Sequence, residues 1–497
     1  MINEQKKSSL WQNWISVIGG ILSVVWFTAI VFLFILDLTL HEANPYVGIF
    51  SYFLLPILLF ISLCLIPFGA WVERDRRRKR EYIPRFPQID FNNPVHQKRA
   101  YIIIGVVTLF LLISAVGSYR AYEFTESVTF CGKTCHQVMG PEFTAYQHSP
   151  HARVSCVQCH IGPGVDWFVR SKLAGTYQVY SVIFNKYHRP IETPVKNLRP
   201  AQETCEKCHW PQKFFGAVEK DRQHFASDKT NSEWKIRMLM FVGGGQPPFG
   251  KRNGIHWHMN IKDKVYYIAT DKKRQVIPWI KVVSPDGKEE FYVDKESGFT
   301  AKNPPKGEMR LMDCMDCHNR PSHIFKAPVD AVEEAMAIND IDKSLPFIKR
   351  EAVKALAGNY DSQGNAVKAI QESLKDFYQK KYPEVWETHK DQVNSSINSI
   401  IRIYQTNFFP QMKVSWKEYP SNLGHLNFPG CFRCHDDKHV ASTGKALTKQ
   451  CNTCHQIIEQ GVPDATEKNT DGLEFRHPFE DDGSWKEMNC FDCHSGS

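Results

Sequence analysis

A repeated cysteine–histidine motif constrains this chain of 497 residues more than any other feature. Fourteen of the 15 cysteines form pairs, and a histidine directly follows each pair. Six pairs have the spacing C-x-x-C-H: Cys156, Cys159 and His160; Cys205, Cys208 and His209; Cys314, Cys317 and His318; Cys431, Cys434 and His435; Cys451, Cys454 and His455; Cys490, Cys493 and His494. The first motif, Cys131, Cys135 and His136, has one additional residue between its cysteines.

This spacing predicts seven covalently bound haem c groups. Two thiols of a motif face the two vinyl groups of one haem, and the adjacent imidazole binds its iron. A zinc site would share one metal between two C-x-x-C units, with no required trailing histidine. A thioredoxin-like function would need one motif beside a βαβ unit. Neither alternative fits seven repeats. The remaining cysteine, Cys64, lies in an apolar segment and is interpreted as a small apolar side chain.

Each low-spin haem needs a second axial ligand, and 13 histidines lie outside the motifs. His41 and His96 are poor candidates because they lie in loops between apolar segments. We expect the second ligands among the following histidines: His151, His224, His256, His258, His323, His425, His439 and His477. Ligation is less expected at His148, His188 and His389.

Sequence spacing restricts some of these assignments. His435 and His439 lie one helical turn apart and project the same way, so His439 would serve a neighbouring haem. The same argument applies to His318 and His323. His477 precedes the last motif at a distance that suits its second ligand.

Three further residues are considered as iron ligands: His256, His258 and Met139. His256 and His258 would share one strand face, with one as ligand and the other as hydrogen-bond partner. Met139 follows the widened motif closely and is predicted to bind the first haem iron, which would raise its reduction potential. The alternative for Met139 is a packed core side chain.

Three long segments lack charged residues: 14–36, 43–72 and 100–119. Because about 20 apolar residues cross a bilayer as a helix, we predict membrane spans at about 14–36, 46–72 and 100–119. The first is too long for a signal peptide and lacks a cleavage site. The Arg-rich loop at 73–99 and the N-terminus are predicted to be cytoplasmic, and residues beyond Arg120 periplasmic, at a bacterial inner membrane.

The formal net charge of +8 lies mainly in the membrane part, where residues 1–120 hold 12 Lys or Arg against 7 Asp or Glu. An Arg-rich run also occurs in sites for nucleic acid or anionic lipid. We interpret it as a topology signal, with membrane lipid as partner and no nucleic acid.

The predicted fold class is mainly α: three transmembrane helices and a haem-packed periplasmic multihaem cytochrome c domain with a small antiparallel β insert. The predicted parts are a membrane anchor (1–120), a domain with haems 1–3 (121–210), a β-containing insert (211–313) and a C-terminal domain with haems 4–7 (314–497). Strands are predicted within 264–270, 275–283 and 290–294. Helical periodicity is found in 329–337, 345–357, 366–382 and 391–404.

Part of the chain resembles a known family. The carrying residues are an anchor helix running into Tyr122–Phe130, the motif Cys131-x-x-x-Cys135-His136-x-x-Met139, the run from Ser149 to His160, and the helix from Val169 to Tyr180. Over roughly residues 100–210 they resemble the NapC/NirT family of membrane-anchored multihaem quinol dehydrogenases. Three spans and seven haems look more like the heptahaem inner-membrane cytochromes of metal-respiring bacteria.

The resemblance implies that the first haem lies closest to the membrane, is Met-ligated or high-spin, and adjoins a quinol site. The family's lysine at this site matches Lys172. Its acidic partner has no clean match, because Gln178 stands near that position; Asp166 and Glu142 are offered as substitutes.

The expected function is therefore a menaquinol or ubiquinol dehydrogenase that passes electrons through seven haems to periplasmic cytochromes or a reductase, in anaerobic or extracellular respiration. Two alternatives stay open. One is a terminal multihaem reductase of a small oxyanion or metal. The other is an electron-transfer subunit that docks a partner reductase, with the β insert as interface.

Overall fold

The computed structural model describes residues 10–39, 55–79, 92–134, 137–162, 165–195, 198–243, 254–259, 263–478 and 483–497. The chain forms two compact units. The first consists of Met1–Ser127 and Cys156–Gln178, and the second of Val128–Ser155 and Val179–Ser497. The four-part division at residues 120, 210 and 313 stays a prediction.

Three helices in the described part of the first unit are long and apolar enough to cross a membrane: α1 (Trp14–Thr39), α2 (Leu55–Arg78) and α3 (Pro94–Thr125). They match the predicted spans, although residues 46–54 of the second span lie outside the described residues. Side chains of α3 from Ile102 to Val116 are mostly exposed, as expected for a helix that faces lipid.

Helices α1 and α2 pack closely through small residues. A side chain at Gly19 would approach the Ser62 carbonyl oxygen to 2.8 Å, so only glycine fits there without a shift. The Ser16 hydroxyl donates a hydrogen bond to the Ile66 carbonyl at 2.8 Å. Small residues and inter-helix hydrogen bonds of this kind hold helices together where lipid removes the hydrophobic driving force.

Two longer helices follow the membrane segments: α4 (Gly140–Gln147) and α5 (Val165–Ile183), the latter containing the predicted helix 169–180. Before α4, Gly132 of the widened motif lies against the Phe143 ring, where a Cβ atom would clash. Short helical turns accompany the cysteine motifs and several loops: Phe130–Thr134, Gln137–Met139, Cys156–His160, Ala201–Thr204, Cys205–Lys207, Pro211–Lys213, Ile255–Met259, Cys314–Cys317, Pro410–Met412, Trp416–Glu418, Gly430–Arg433, Cys451–Thr453, Ser484–Lys486 and Cys490–Cys493.

Nine strands of the second unit form two antiparallel sheets among the described residues. They are β1 (Ala217–Phe225), β2 (Glu233–Phe241), β3 (Lys264–Ile268), β4 (Trp279–Val283), β5 (Glu289–Asp294), β6 (Arg310–Leu311), β7 (His439–Ala441), β8 (His455–Val462) and β9 (Ala465–Leu473). One sheet has the order β1-β2-β8-β9 and the other β6-β3-β4-β5-β7. Strands β3, β4 and β5 are the predicted insert, so that prediction is confirmed.

Five helices form a bundle between the fourth and fifth motifs: α6 (Pro328–Ala337), α7 (Ile348–Leu356), α8 (Gln363–Lys381), α9 (Pro383–Thr388) and α10 (Lys390–Asn407). The Ser362 hydroxyl accepts the Asn365 N–H and caps α8. Side chains one turn apart on α8, including Ile370 and Leu374, are buried against the neighbouring helices. This bundle has an apolar core of its own.

The observed architecture is mainly α, with three candidate membrane helices and two small antiparallel sheets. The predicted fold class is confirmed.

Candidate haem sites and membrane-proximal charges

The backbone of each described C-x-x-C-H motif closes into one helical turn. The histidine N–H donates to the carbonyl of the first cysteine at 2.8 Å in the third and fourth motifs, 3.1 Å in the fifth and 2.9 Å in the last. At the fourth motif Asp313 caps the turn, with its carboxylate accepting from Met315 N and its own N–H donating to Asp316, both at 2.8 Å. Two thiols and one imidazole are thus held side by side, as haem attachment requires.

Each of five motif histidines lies beside a second histidine from elsewhere in the chain. The ring centroids are separated by 6.1 Å for His151 and His209, 6.4 Å for His256 and His318, 5.9 Å for His258 and His435, 6.2 Å for His425 and His455, and 5.9 Å for His477 and His494. An imidazole nitrogen bonds a metal at about 2 Å, so two trans imidazoles have centroids about 6 Å apart. Each of these five pairs of imidazoles therefore has a spacing that suits one shared iron.

Hydrogen bonds orient several of the partner rings. His256 Nδ1 lies 2.7 Å from the Val242 carbonyl, and His258 Nδ1 lies 2.9 Å from the Ile255 carbonyl. His151 Nδ1 is 3.3 Å from the Pro321 carbonyl. An Nδ1–H that donates to a carbonyl fixes the tautomer and leaves Nε2 as the ligating nitrogen.

Burial keeps these imidazoles neutral. It lowers the pKa of His435 to about 4, and the neighbouring His258 lowers this pKa further. Burial also lowers the pKa of His455 to about 4, with His425 acting in the same direction. Because only the neutral imidazole binds a metal, both rings are in the ligating form at neutral pH.

The expectation for His256 and His258 is corrected. They lie in a 3₁₀ helix, Ile255–Met259, and not on a strand. A 3₁₀ helix turns by about 120° per residue, so residues two apart point in different directions. Consequently each of the two rings faces a different motif histidine, His318 and His435.

The expectation for His439 is also corrected. It lies in strand β7 and is buried, with Nδ1 2.9 Å from Asp436 and Nε2 2.6 Å from the Ile277 carbonyl. Both ring nitrogens hold protein acceptors, which leaves neither for an iron. His435 and His439 are not on a common helix, because the helical turn ends at Arg433.

The remaining candidate histidines make other contacts. His224 Nδ1 lies 2.9 Å from the Glu333 carboxylate, and His323 Nδ1 lies 2.8 Å from the Glu142 carbonyl. His148 Nδ1 contacts the Thr144 carbonyl at 2.8 Å, and the exposed His389 contacts the Thr388 hydroxyl at 2.7 Å. His188 is exposed.

For the first two motifs, no such histidine pair is found among the described residues. Cys135 and His136 lie outside the described residues, so the structure describes only Cys131 of the first motif. Met139 ends a short 3₁₀ helix at the start of α4. His160 ends the turn Cys156–His160 in the first unit.

Cysteine side chains of successive motifs lie close enough to influence one another electrostatically, in chain order. The interacting thiols are Cys205 with Cys314, Cys317 with Cys431, Cys431 with Cys454, and Cys451 with Cys490. The third to seventh motifs thus form a sequence of neighbours.

The predicted quinol-site residues have distinct surroundings. Lys172 lies on α5, and its Nζ is 3.9 Å from Oε1 of Glu126, the residue that directly follows α3. Gln178 is exposed, and the side chain of Asp166 is not described. Glu126 was not among the residues predicted from the sequence; its position directly after an apolar helix marks it as membrane-proximal, but only the fold places it beside Lys172.

Glu142 is a buried carboxylate that is already paired. Arg320 donates to its Oε2 at 2.6 Å, and the Arg320 guanidinium lies 4.0 Å from the centre of the Tyr419 ring. Burial raises the pKa of Glu142, and Arg320 opposes the shift.

Apolar helices and repeated thiol–imidazole sites define a membrane-anchored multihaem c-type cytochrome of electron transfer. Residues 94–203 match the NapC/NirT cytochrome c family, N-terminal region. The chain is 44% identical over 488 residues to the cytochrome c-type protein ImcH of Geobacter sulfurreducens, covering 98% of this chain and 95% of that protein. It is 27% identical over 138 residues to the cytochrome c-type protein NrfH of Wolinella succinogenes, covering 27% of this chain and 77% of that protein. No solved structure matches significantly. The chain therefore belongs to the ImcH-like multihaem c-type cytochromes, and its residues 94–203 form a NapC/NirT region.

Proposed function

We propose that this protein is a quinol dehydrogenase of the bacterial inner membrane. It oxidises menaquinol, or ubiquinol, at the periplasmic face and delivers the electrons to periplasmic cytochromes or a reductase. The observation that carries this proposal is the place of Lys172, whose ammonium lies 3.9 Å from the residue directly following α3. A cation at the end of a membrane helix is suited to hold a quinol oxygen as it loses its proton.

Seven haem c groups are proposed, one per motif, each supplying one-electron redox chemistry when bound. The close ring pairs favour His151, His256, His258, His425 and His477 as second ligands for the third to seventh motifs. For the first motif, Met139 stays the proposed partner of His136.

The proposed electron path follows the order of the motifs. Support comes from the closeness of cysteines of consecutive motifs, from the third motif to the seventh, which lie within electrostatic range of one another. Electrons would leave near the seventh motif, where His477 lies beside His494.

The proposed orientation has the N-terminus in the cytoplasm and the haem domain in the periplasm, as the basic loop at 73–99 indicates. Because haem c is attached outside the cytoplasm in bacteria, seven attachment motifs in the part beyond Arg120 support this orientation.

The decisive experiment uses the full-length, haem-loaded protein in nanodiscs. Menaquinol should reduce its haems, as followed by their visible absorbance, at a rate that saturates with quinol concentration. Reduction by dithionite but not by menaquinol or ubiquinol would overturn the proposal. Rapid reoxidation of the reduced protein by a small oxyanion or metal ion would instead favour the terminal reductase.

Haem stoichiometry is tested separately by a pyridine haemochrome assay per chain. The expected value is about seven. A value of six would mean that the widened motif at Cys131 carries no haem.

A further inference from the structure

The carboxylate of Glu126 lies where an apolar membrane helix emerges. Helix α3 runs over Pro94–Thr125, and its charge-free part ends at Tyr119. At a rise of about 1.5 Å per residue, Glu126 lies about 10 Å beyond Tyr119 along the helix axis. It is therefore close to the membrane surface, within reach of a quinol head group.

The contacts of Glu126 leave one oxygen without a hydrogen bond. Its side chain is 18% exposed, and Oε1 is buried with no hydrogen-bond partner in the described part of the chain. Lys172 Nζ lies 3.9 Å from this oxygen, which is ion-pair distance but too long for a hydrogen bond. A buried acceptor without a donor is costly, and a quinol hydroxyl would satisfy it.

Other carboxylates nearby in sequence are less suited to this role. Glu123, one turn earlier on α3, is paired with Arg120 at 2.9 Å and is exposed. Glu142 is held by Arg320 at 2.6 Å. Gln178, near the position where the family resemblance implies an acidic residue, carries no titratable group. Glu126 thus supplies a carboxylate beside Lys172 where Gln178 cannot.

Burial raises the pKa of Glu126, and Lys172 counteracts part of the shift. A general base works best when its pKa approaches the working pH, so this environment suits proton acceptance.

We propose that Glu126 accepts the proton of a quinol hydroxyl while Lys172 holds the same oxygen; this inference rests on the proposed quinol function. One O–H bond breaks, and its proton goes to Glu126 Oε1. The second hydroxyl loses its proton to water. The two electrons go one at a time to ferric haem c of this chain, and quinone is released. Two protons and two electrons thus leave each quinol, and Glu126 passes its proton to the periplasmic solvent.

The test is Glu126→Gln in the full-length, haem-loaded protein in nanodiscs, with menadiol as the quinol. Loss of a general base lowers a rate by about 100- to 10,000-fold, so we expect kcat for haem reduction to fall at least about 100-fold. KM should change little, because the amide keeps the shape of the site. Glu126→Asp should restore part of kcat, and dithionite should reduce all variants equally.

Glu123→Gln is the matched control, because it removes a carboxylate of the same helix whose partner is Arg120. It should react like the unmodified protein. Normal menadiol oxidation by Glu126→Gln would overturn the role of Glu126 and leave the quinol function intact. Failure of the unmodified protein to oxidise menadiol would overturn the quinol function, and this inference with it.

Discussion

The imidazole rings of His256 and His318 lie parallel, with an angle of 6° between their planes and 6.4 Å between their centroids. The two residues are far apart in sequence, and different elements hold them. His256 belongs to a 3₁₀ helix, and its Nδ1 is fixed by the Val242 carbonyl at 2.7 Å. His318 ends the turn of its motif. Backbone hydrogen bonds therefore help to hold the two imidazoles at a distance that suits one shared iron.

The first prediction concerns this pair. His256→Ala should leave the fourth haem attached, because both thiols and His318 remain, but should remove its second axial ligand. We expect one haem per chain to change from low spin to high spin. Electron paramagnetic resonance of the oxidised protein, together with a haem count, measures both effects.

A matched control is His389→Ala, because His389 is exposed and the described contact of its imidazole is with the neighbouring Thr388 hydroxyl. It should leave all spin states unchanged. A fully low-spin spectrum in His256→Ala would show that another residue binds the fourth iron.

Features formed by residues close together in the chain can be predicted from the sequence, whereas contacts between distant residues depend on the fold. Attachment motifs are readable because two thiols and an imidazole lie within five or six residues, and the helices of the bundle are readable because their buried positions recur every turn. The sheet β1-β2-β8-β9 was not predicted, because β2 pairs with β8 across more than 200 residues, with Lys235 opposite Gly461. Glu126 was missed for the same reason: only the fold brings it to Lys172.

The second prediction concerns the buried His439. Although burial alone would lower its pKa, hydrogen bonds to Asp436 and the Ile277 carbonyl raise it. His439→Ala leaves these two acceptors unsatisfied, which should cost about 1–3 kcal/mol of stability. Because the folded pKa is raised, the contribution is fully present below the unfolded pKa of about 6.5 and is lost as pH rises through the folded pKa.

The unfolding midpoints of the unmodified protein and His439→Ala should therefore differ more at about pH 5.5 than at about pH 8.5. These pH values lie about one to two units below and above the ordinary histidine pKa. Haem content and spin states should be unchanged. A new high-spin signal in His439→Ala would contradict a purely structural role.

The third prediction concerns an ion pair inside the second unit. Glu333 Oε1 lies 2.7 Å from Lys349 Nζ, and Oε2 lies 2.9 Å from His224 Nδ1. Although burial alone would raise the pKa of Glu333, His224 and Lys349 lower it. Glu333→Gln leaves the Lys349 ammonium buried without its counter-charge, so we expect a loss of about 3–5 kcal/mol in the free energy of unfolding.

Glu334→Gln on the same helix is the comparison. Glu334 is exposed and pairs with Lys326, so its loss should cost about 0–1 kcal/mol. Denaturant titrations of both variants give the two values, and equal losses would contradict the role of burial. Since the folded pKa of Glu333 is lowered, its contribution is present above about pH 4.5 and is lost as pH falls through the folded pKa.

The last prediction concerns Lys172. Lys172→Ala should slow quinol-driven reduction of the haems at least about 100-fold, because one positioned donor contributes about 10²–10³ to such reactions. Dithionite, which needs no quinol site, should reduce the variant at the normal rate. Lys172 also lowers the pKa of Glu126, so its removal lets burial raise that pKa further. The defect should therefore be larger at acidic pH, where more of Glu126 is protonated and unable to accept a proton.

Lys186→Ala, which removes an exposed lysine just beyond α5, is the control. Equal quinol-driven rates in Lys172→Ala and Lys186→Ala would remove Lys172 from the site.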